Sequence, residues 1–305
     1  MTLRQILRVH VFVVPSLLAC AATCSSGKAS SDAASAGYTK IDDMEGTSGL
    51  IEWTSPPGMT PGFWWSATDC TESDRISPLP FFVNPYGWSY AALPIPHETF
   101  PGIASTHAAR LRTISPLTGV WGANMGIDFA ELPALAGGPI WPPPMGVDAA
   151  APADGQPCIQ GTSRDFNGGP VDLSSYSGIT FWGMATMTGA RTVRVQLNDR
   201  NTDPRGGICN PADPSNESNC YNGFRVEVAM TDSLTQYTVD LSSLQQDPSW
   251  GYRPDPDVLD LQHVYAMSFE VDLPNCSVSS NAKCAGGSPS VAFDFWIDDL
   301  YFVNK

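Results

Sequence analysis

The stretch V-A-F-D-F-W-I-D-D-L-Y-F-V, residues 291–303, is the most strand-like run in the chain. Phe295 and Ile297 alternate with Asp294 and Trp296, the period of a strand with one buried face. Asp298 and Asp299 interrupt that pattern. A buried carboxylate is costly without a partner. Either both aspartates face water or something positive meets them.

Outward from this run, strand signals recur from Tyr38 to the end. They predict strands over Thr106–Thr113, Trp121–Phe129, Gly178–Thr186, Thr192–Asp199, Phe224–Met230, Gln236–Leu241 and Val264–Leu273. Val193, Val195 and Leu197 oppose Arg194, Gln196 and Asn198, a clean two-residue period. No stretch of similar length carries a helical stripe, although Asp240–Gln246 suits one helical turn. Ile76–Pro96 and Gly137–Pro157 are rich in proline, which excludes central strands. These features predict an all-β chain, an antiparallel β-sandwich of jelly-roll type with long Pro-rich loops. One domain spans 38–305, with inward faces forming the core and polar faces open to solvent.

The 305 residues hold 16 basic and 31 acidic side chains, 27 Gly, 27 Pro and nine Trp. Charged residues make up only 15%, so this is not a disordered polyacid. The acidic balance argues against nucleic acid, since nothing would neutralise phosphates. It suits a neutral partner. Residues 1–19 read as a signal peptide: Arg4 and Arg8, then an apolar run from Val9 to Ala19 too short to span a bilayer. Leu17-Leu18-Ala19-Cys20 resembles a bacterial lipoprotein signal, which implies acylation at Cys20 and a membrane anchor. Ala21 after the cysteine resembles outer-membrane sorting. Residues 20–37 are small, polar and pattern-free, the composition of a flexible tether.

Cysteine usage agrees with export. Six cysteines in the body allow fifteen connectivities. Proximity suggests Cys209–Cys220 and Cys276–Cys284, which leaves Cys70–Cys158. Cys24 in the tether is a free thiol or an intermolecular bridge. A zinc site is disfavoured: no CxxC occurs, and beyond the leader only His97, His107 and His263 are present.

Several short stretches share an order with a known group. They are I-D-D-M-E-G at 41–46, W-G-A-N-M-G, V-D-L-S-S-Y-S-G-I-T-F-W-G and V-R-V-Q-L-N-D-R-N-T-D-P. L-T-Q-Y-T-V-D-L-S-S-L-Q-Q then leads to S-W-G-Y, and F-D-F-W-I-D-D-L-Y-F closes the chain. Together they resemble galactose-binding-like carbohydrate-binding jelly rolls, close to family 11 carbohydrate-binding modules and the complex I intermediate-associated relatives. The resemblance covers most of Ile41–Val303; the two Pro-rich loops depart from its compact pattern. It implies that the first and last strands are neighbours. That would gather Asp42, Asp43, Glu45, Asp298 and Asp299, and it implies a structural Ca²⁺ among them, with Glu45 and Asp299 foremost. Calcium takes six to eight oxygens at loose geometry, so a carboxylate cluster suits it. Other fates for these acids are solvation or protection of a sheet edge.

Sugars are held by aromatic faces and by polar groups that fix hydroxyls. The strand pattern puts Trp182, Arg194, Gln196, Asn198, Asp294 and Trp296 on polar faces. A shared concave sheet would make them one platform. Trp250 and Tyr252 in the S-W-G-Y loop are further candidates, whereas Trp64 and Trp65 read as core or loop packing. No G-x-S-x-G, HExxH or P-loop is present. The expectation is therefore a non-catalytic, lipid-anchored protein that holds a polysaccharide or oligosaccharide at the cell surface. The alternatives are a scaffold docking an envelope protein, or a polysaccharide-degrading hydrolase or lyase.

Overall fold

The computed structural model describes residues 37–46, 49–53, 57, 59–68, 76–77, 90–98, 104–117, 122–131, 168–188, 192–210, 218–272 and 291–305. The leader, Cys20, Cys24, Cys70, Cys158, Cys276 and Cys284 lie outside these residues. The strands are β1 (Tyr38–Asp42), β2 (Thr60–Thr68), β3 (Ile76–Ser77), β4 (Ala91–Glu98), β5 (Ala104–Thr113) and β6 (Gly122–Glu131). β7 (Tyr176–Met187), β8 (Thr192–Asp199), β9 (Phe224–Ala229), β10 (Thr235–Asp240), β11 (Val264–Asp272) and β12 (Phe293–Asn304) complete the set.

Two antiparallel sheets form the expected sandwich. One has seven strands, in the order β10-β7-β12-β5-β3, with β1 against β12 and β4 against β5. The other has five, β2-β6-β11-β8-β9. The core lies between them because each strand turns its apolar residues inward. Ile179, Phe181, Leu111, Phe295 and Ile297 come from the first sheet, and Trp64, Ile127, Phe129, Val195, Leu197 and Phe269 from the second. Phe302 packs across the interface. Its ring centroid is 4.4 Å from Tyr176, 5.6 Å from Trp53 and 5.7 Å from Phe129.

The predicted strands form near their expected bounds, and β8 coincides with Thr192–Asp199. The expected helical turn shrinks to a 3₁₀ turn, Leu241–Ser243, started by Asp240, whose carboxylate accepts from the Ser242 amide. β2 had no sequence-level counterpart. The Ile76–Pro96 region also holds β3 and most of β4. Pro94 and Pro96 fall where the β4–β5 register shifts, between Ala92 opposite His107 and His97 opposite Ser105. Proline lacks an amide donor and survives in a strand where pairing is already broken. The Cys209–Cys220 disulfide forms as expected.

Candidate functional site

The aspartate pair sits where β12 changes partners. β7 runs along one side of it. On the other side β5 pairs with Asp294–Ile297, and β1 takes over from Leu300, opposite Asp42. Between these partners β12 bulges: the register shifts after Asp298, and Asp299 has φ 47°. This conformation is rare outside glycine, and Asp is among the residues that tolerate it. The start of β5 leaves β12 here, and Glu45 takes its amides. Glu45 Oε1 accepts from Thr106 N (2.6 Å) and His107 N (2.8 Å), and Oε2 from the Thr106 hydroxyl (2.7 Å). Burial opposes ionisation of Glu45, but these bonds outweigh it and hold the carboxyl down at about 2.

The five acids do not form one cluster. Asp42 is fully buried and accepts from the Trp64 indole (2.6 Å), the Tyr90 hydroxyl (2.6 Å) and the Met44 amide (3.0 Å). Burial still pushes it up to about 6. Asp42, Asp43 and Glu52 bring carboxylate oxygens within 4.8 Å of one another. There Lys40 is the cation, bridging Asp43 at 3.0 Å and Glu52. Glu45 and Asp298 meet instead at Ser105. Its hydroxyl is 2.7 Å from Asp298 Oδ2 and 3.1 Å from Glu45 Oε1, and one hydrogen cannot serve both. Burial, then the neighbouring Asp299, push Asp298 up to about 8. Asp299 turns into a separate depression, beside Trp182 and Tyr301.

The expected aromatic platform is divided. Trp182, Asp294 and Trp296 lie on the seven-stranded sheet, whereas Arg194, Gln196 and Asn198 lie on β8 in the other. The two sheets turn their polar faces in opposite directions, so these residues share no surface. Trp296 packs with Leu93 and Ala108, and the Arg110 guanidinium lies 4.2 Å from its ring centroid. Arg110 also donates to both Asp294 oxygens, at 2.8 and 2.5 Å. Trp296 and Asp294 are thereby engaged within the protein.

The outer face of the five-stranded sheet is different. Register places Trp65, Gly126, Ser268, Gln196 and Arg225 in one row across all five strands. The next row runs Ala67, Asn124, Glu270, Arg194, Glu227. Trp64 enters the core, so Trp65 must point outward, because successive strand residues alternate faces. Its benzene edge lies over Gly126: a Cβ there would stand 2.7 Å from Trp65 Cζ2 and 2.9 Å from Cη2. The half-buried indole gives its N–H to Asp128, which is also held by Arg205 Nη1 at 2.8 Å. Arg205 in turn binds Asp203 at 2.7 Å.

Beside Trp65 the face is polar and low in exposure. The Ser268 hydroxyl and Asn124 Oδ1 are buried and have no hydrogen-bond partner among the described residues. Gln196 donates to Asn198 Oδ1 at 3.2 Å. Arg194 approaches Glu270 at 3.5 Å. Burial raises the Glu270 carboxyl, and Arg194 and Arg225 oppose it.

At the β9 edge, Arg225 binds Asp247 at 2.5 Å. Asn222 fixes the following loop by donating to the carbonyls of Asp247 (2.9 Å) and Trp250 (2.5 Å). Tyr252 is tied through its amide to Asn219 O at 2.9 Å. Gln246 Oε1 and the Trp250 indole N–H are two further buried atoms lacking a described partner. Of the sequence candidates, this sheet and its edge loop bring together Arg194, Gln196, Asn198, Trp250 and Tyr252. Trp65, Asn124, Ser268 and Arg225 were not anticipated. The signal for Trp65 was G-F-W-W-S itself, since two adjacent strand tryptophans cannot both be core.

Comparison with solved structures finds low-identity matches. A family 11 carbohydrate-binding module from Clostridium thermocellum, in complex with a β-1,3-1,4-mixed-linked tetrasaccharide, is 11% identical with a TM-score of 0.37. The match covers 88% of this chain and 96% of that one. A family 4 carbohydrate-binding module is 14% identical, TM-score 0.31, over 80% of this chain and 87% of that one. An exo-β-agarase is 9% identical, TM-score 0.36, over 88% of this chain but only 25% of the agarase chain. No protein-family model and no curated protein matches the sequence.

Proposed function

We propose that this protein is a non-catalytic carbohydrate-binding protein whose binding surface is the outer face of the five-stranded sheet. One observation carries the reading: the Trp65 indole over Gly126 stands beside the buried, unpartnered oxygens of Ser268 and Asn124. A buried polar atom left without a hydrogen bond costs about 1–3 kcal/mol, and a sugar hydroxyl supplies the missing partner. The aromatic edge meets the C–H surface of a pyranose. Gln196, Asn198 and Arg194 continue the polar row, and the Trp250–Tyr252 loop borders it. Four of the acids here are held by arginines: Asp128 and Asp203 by Arg205, Glu270 by Arg194, Asp247 by Arg225. Paired acids of this kind favour binding over acid–base work on a glycosidic bond. The lipoprotein-like leader and Cys20 support attachment to the bacterial envelope, with the polysaccharide held at the cell surface.

The calcium implied by the resemblance would be held by Glu45 and Asp298 on either side of the Ser105 hydroxyl. Their fit rests on the approach of both carboxylates to one point, Asp298 Oδ2 at 2.7 Å and Glu45 Oε1 at 3.1 Å from the Ser105 hydroxyl. Asp42 and Asp43 gather with Glu52 beside Lys40 instead and are not assigned to it. Chelator added at neutral pH should lower the melting temperature, and an unchanged value removes the metal. Sugar binding is tested by affinity gels containing β-glucan, xylan, mannan or pectin, with and without calcium. Retardation by one polymer supports the reading; a folded protein retarded by none overturns it.

A further inference from the structure

A second surface stands apart from the Trp65 face. On the outer side of the seven-stranded sheet, Tyr38, Thr180, Trp182, Gln236, Asp299 and Tyr301 line a narrow depression. Register explains the assembly. Tyr301 pairs with Thr180 and Asp298 with Trp182 across β12–β7, while Gln236 pairs with Trp182 across β10–β7. Tyr38 comes from β1, on the other side of β12. Asp299 would face inward in a regular strand. The bulge and its φ of 47° redirect it into the depression beside Tyr301.

The chemistry is that of an aromatic rim around an acid. Two tyrosines and a tryptophan line it, and the Asp299 side chain is almost wholly buried beside them. Thr180 and Gln236 are already joined, Gln236 Nε2 donating to the Thr180 hydroxyl at 3.3 Å. That amide orientation leaves the Gln236 carbonyl as an acceptor. The surroundings are acidic. Asp298 is adjacent, and the nearby cation Lys40, paired in register with Tyr301, gives its ammonium to Asp43 and Glu52. The depression has a volume of about 10 Å³, room for about one water-sized group. Rings and a buried carboxylate together attract a cation: the ring quadrupole draws positive charge, and the carboxylate bonds its N–H groups.

We propose that this depression is a second binding site, one that takes a primary ammonium group of the kind a lysine side chain or an amino sugar carries. It uses no residue of the Trp65 face, so it stands whether or not that face binds sugar. A ligand carrying both a glycan and an amine could engage the two outer faces only from opposite sides of the sandwich.

The test titrates the full chain at pH 7 by calorimetry and tryptophan fluorescence. The probes are n-butylammonium, lysine amide and glucosamine, with n-butanol, Nε-acetyl-lysine amide and N-acetylglucosamine as uncharged controls. Binding of the amines but not the controls is expected, with Kd raised about tenfold or more by Asp299→Asn and by Trp182→Ala, and unchanged by Trp65→Ala. Gln236→Ala is the gentler variant, expected to weaken binding by a smaller factor while the fold stays intact. A preference for lysine amide or for glucosamine identifies the source of the amine, and either result supports the site. Three results overturn it: controls that bind as well as the amines, Asp299→Asn with unchanged Kd in a folded protein, or complete exclusion of the amine by calcium at low millimolar concentration.

Discussion

Trp65→Ala separates the two outer faces most cleanly. The side chain points away from the core, and its retained contacts are the approach to Gly126 and the N–H bond to Asp128. Loss of that bond costs about 1–2 kcal/mol, since Asp128 keeps its Arg205 pair. The fold should therefore survive. Loss of an aromatic anchor at the centre of a binding surface typically costs about 2 kcal/mol or more, which is roughly a 30-fold rise in Kd. Gly126→Ala attacks the same site from beneath, because a methyl group would stand 2.7 Å from the indole edge, but it would also meet the Met267 carbonyl at 2.4 Å and strain the β6–β11 pairing. Affinity electrophoresis or calorimetry against the best-retained polysaccharide reads the loss, and circular dichroism checks the fold. Trp182→Ala, on the opposite sheet, should leave that affinity untouched. If Trp65→Ala binds as the parent does while Trp182→Ala does not, the sugar surface has been placed on the wrong sheet.

Other consequences follow from single groups. Phe302→Ala opens a cavity at the meeting of Tyr176, Trp53 and Phe129, and should cost about 3–5 kcal/mol in denaturant unfolding. Arg205→Met strands the buried Asp128 and Asp203 carboxylates, and should cost about 3–5 kcal/mol; a small loss would show that water reaches them. Asp42 has a folded pKa of about 6, above its unfolded value near 3.8. The folded state thus binds the extra proton, and this group's contribution falls as pH rises from about 4 to 6, by roughly 3 kcal/mol in all. Asp42→Asn should flatten that segment of the stability–pH curve, measured against the parent. Replacing Cys209 and Cys220 by serine opens a short loop and should cost about 2–3 kcal/mol, visible as a lower melting temperature.

The strands of regular alternation were legible because each buries one face. Thr192–Asp199 shows Val193, Val195 and Leu197 inward without exception. β2 was missed because its two tryptophans read as a local cluster rather than as one inward and one outward residue. β4 was missed because Pro94 and Pro96 argue against a strand, and only an irregular edge pairing accommodates them. The pairing of β1 with β12 was implied by the resemblance to jelly rolls, and the structure shows it. The expected joint platform of Trp182, Trp296 and Arg194 is not formed, because alternation assigns a residue to a face but says nothing about which sheet a strand joins. That assignment depends on long-range pairing, which places β12 beside β7 and β8 beside β11.

The aspartate pair gains its meaning from the same long-range pairing. A strand flanked by one continuous neighbour on each side would have no room for two adjacent carboxylates. β12 is flanked on one side by two neighbours in succession, β5 and then β1, and a gap in the ladder is unavoidable where one ends and the next begins. Asp298 and Asp299 occupy that gap, and Glu45 reaches into it from the end of β1 to take the amides that β5 no longer gives to β12. The acids are thus the groups that finish the seam between the first and last strands. The bulge they require also sends Asp298 toward Ser105 and Asp299 toward Trp182. Asp298→Ala should therefore loosen the β1–β12 seam, seen as faster amide exchange at Tyr38–Asp42 than in the core strand β7. Equal protection in the variant and the parent would show that backbone pairing alone holds the seam.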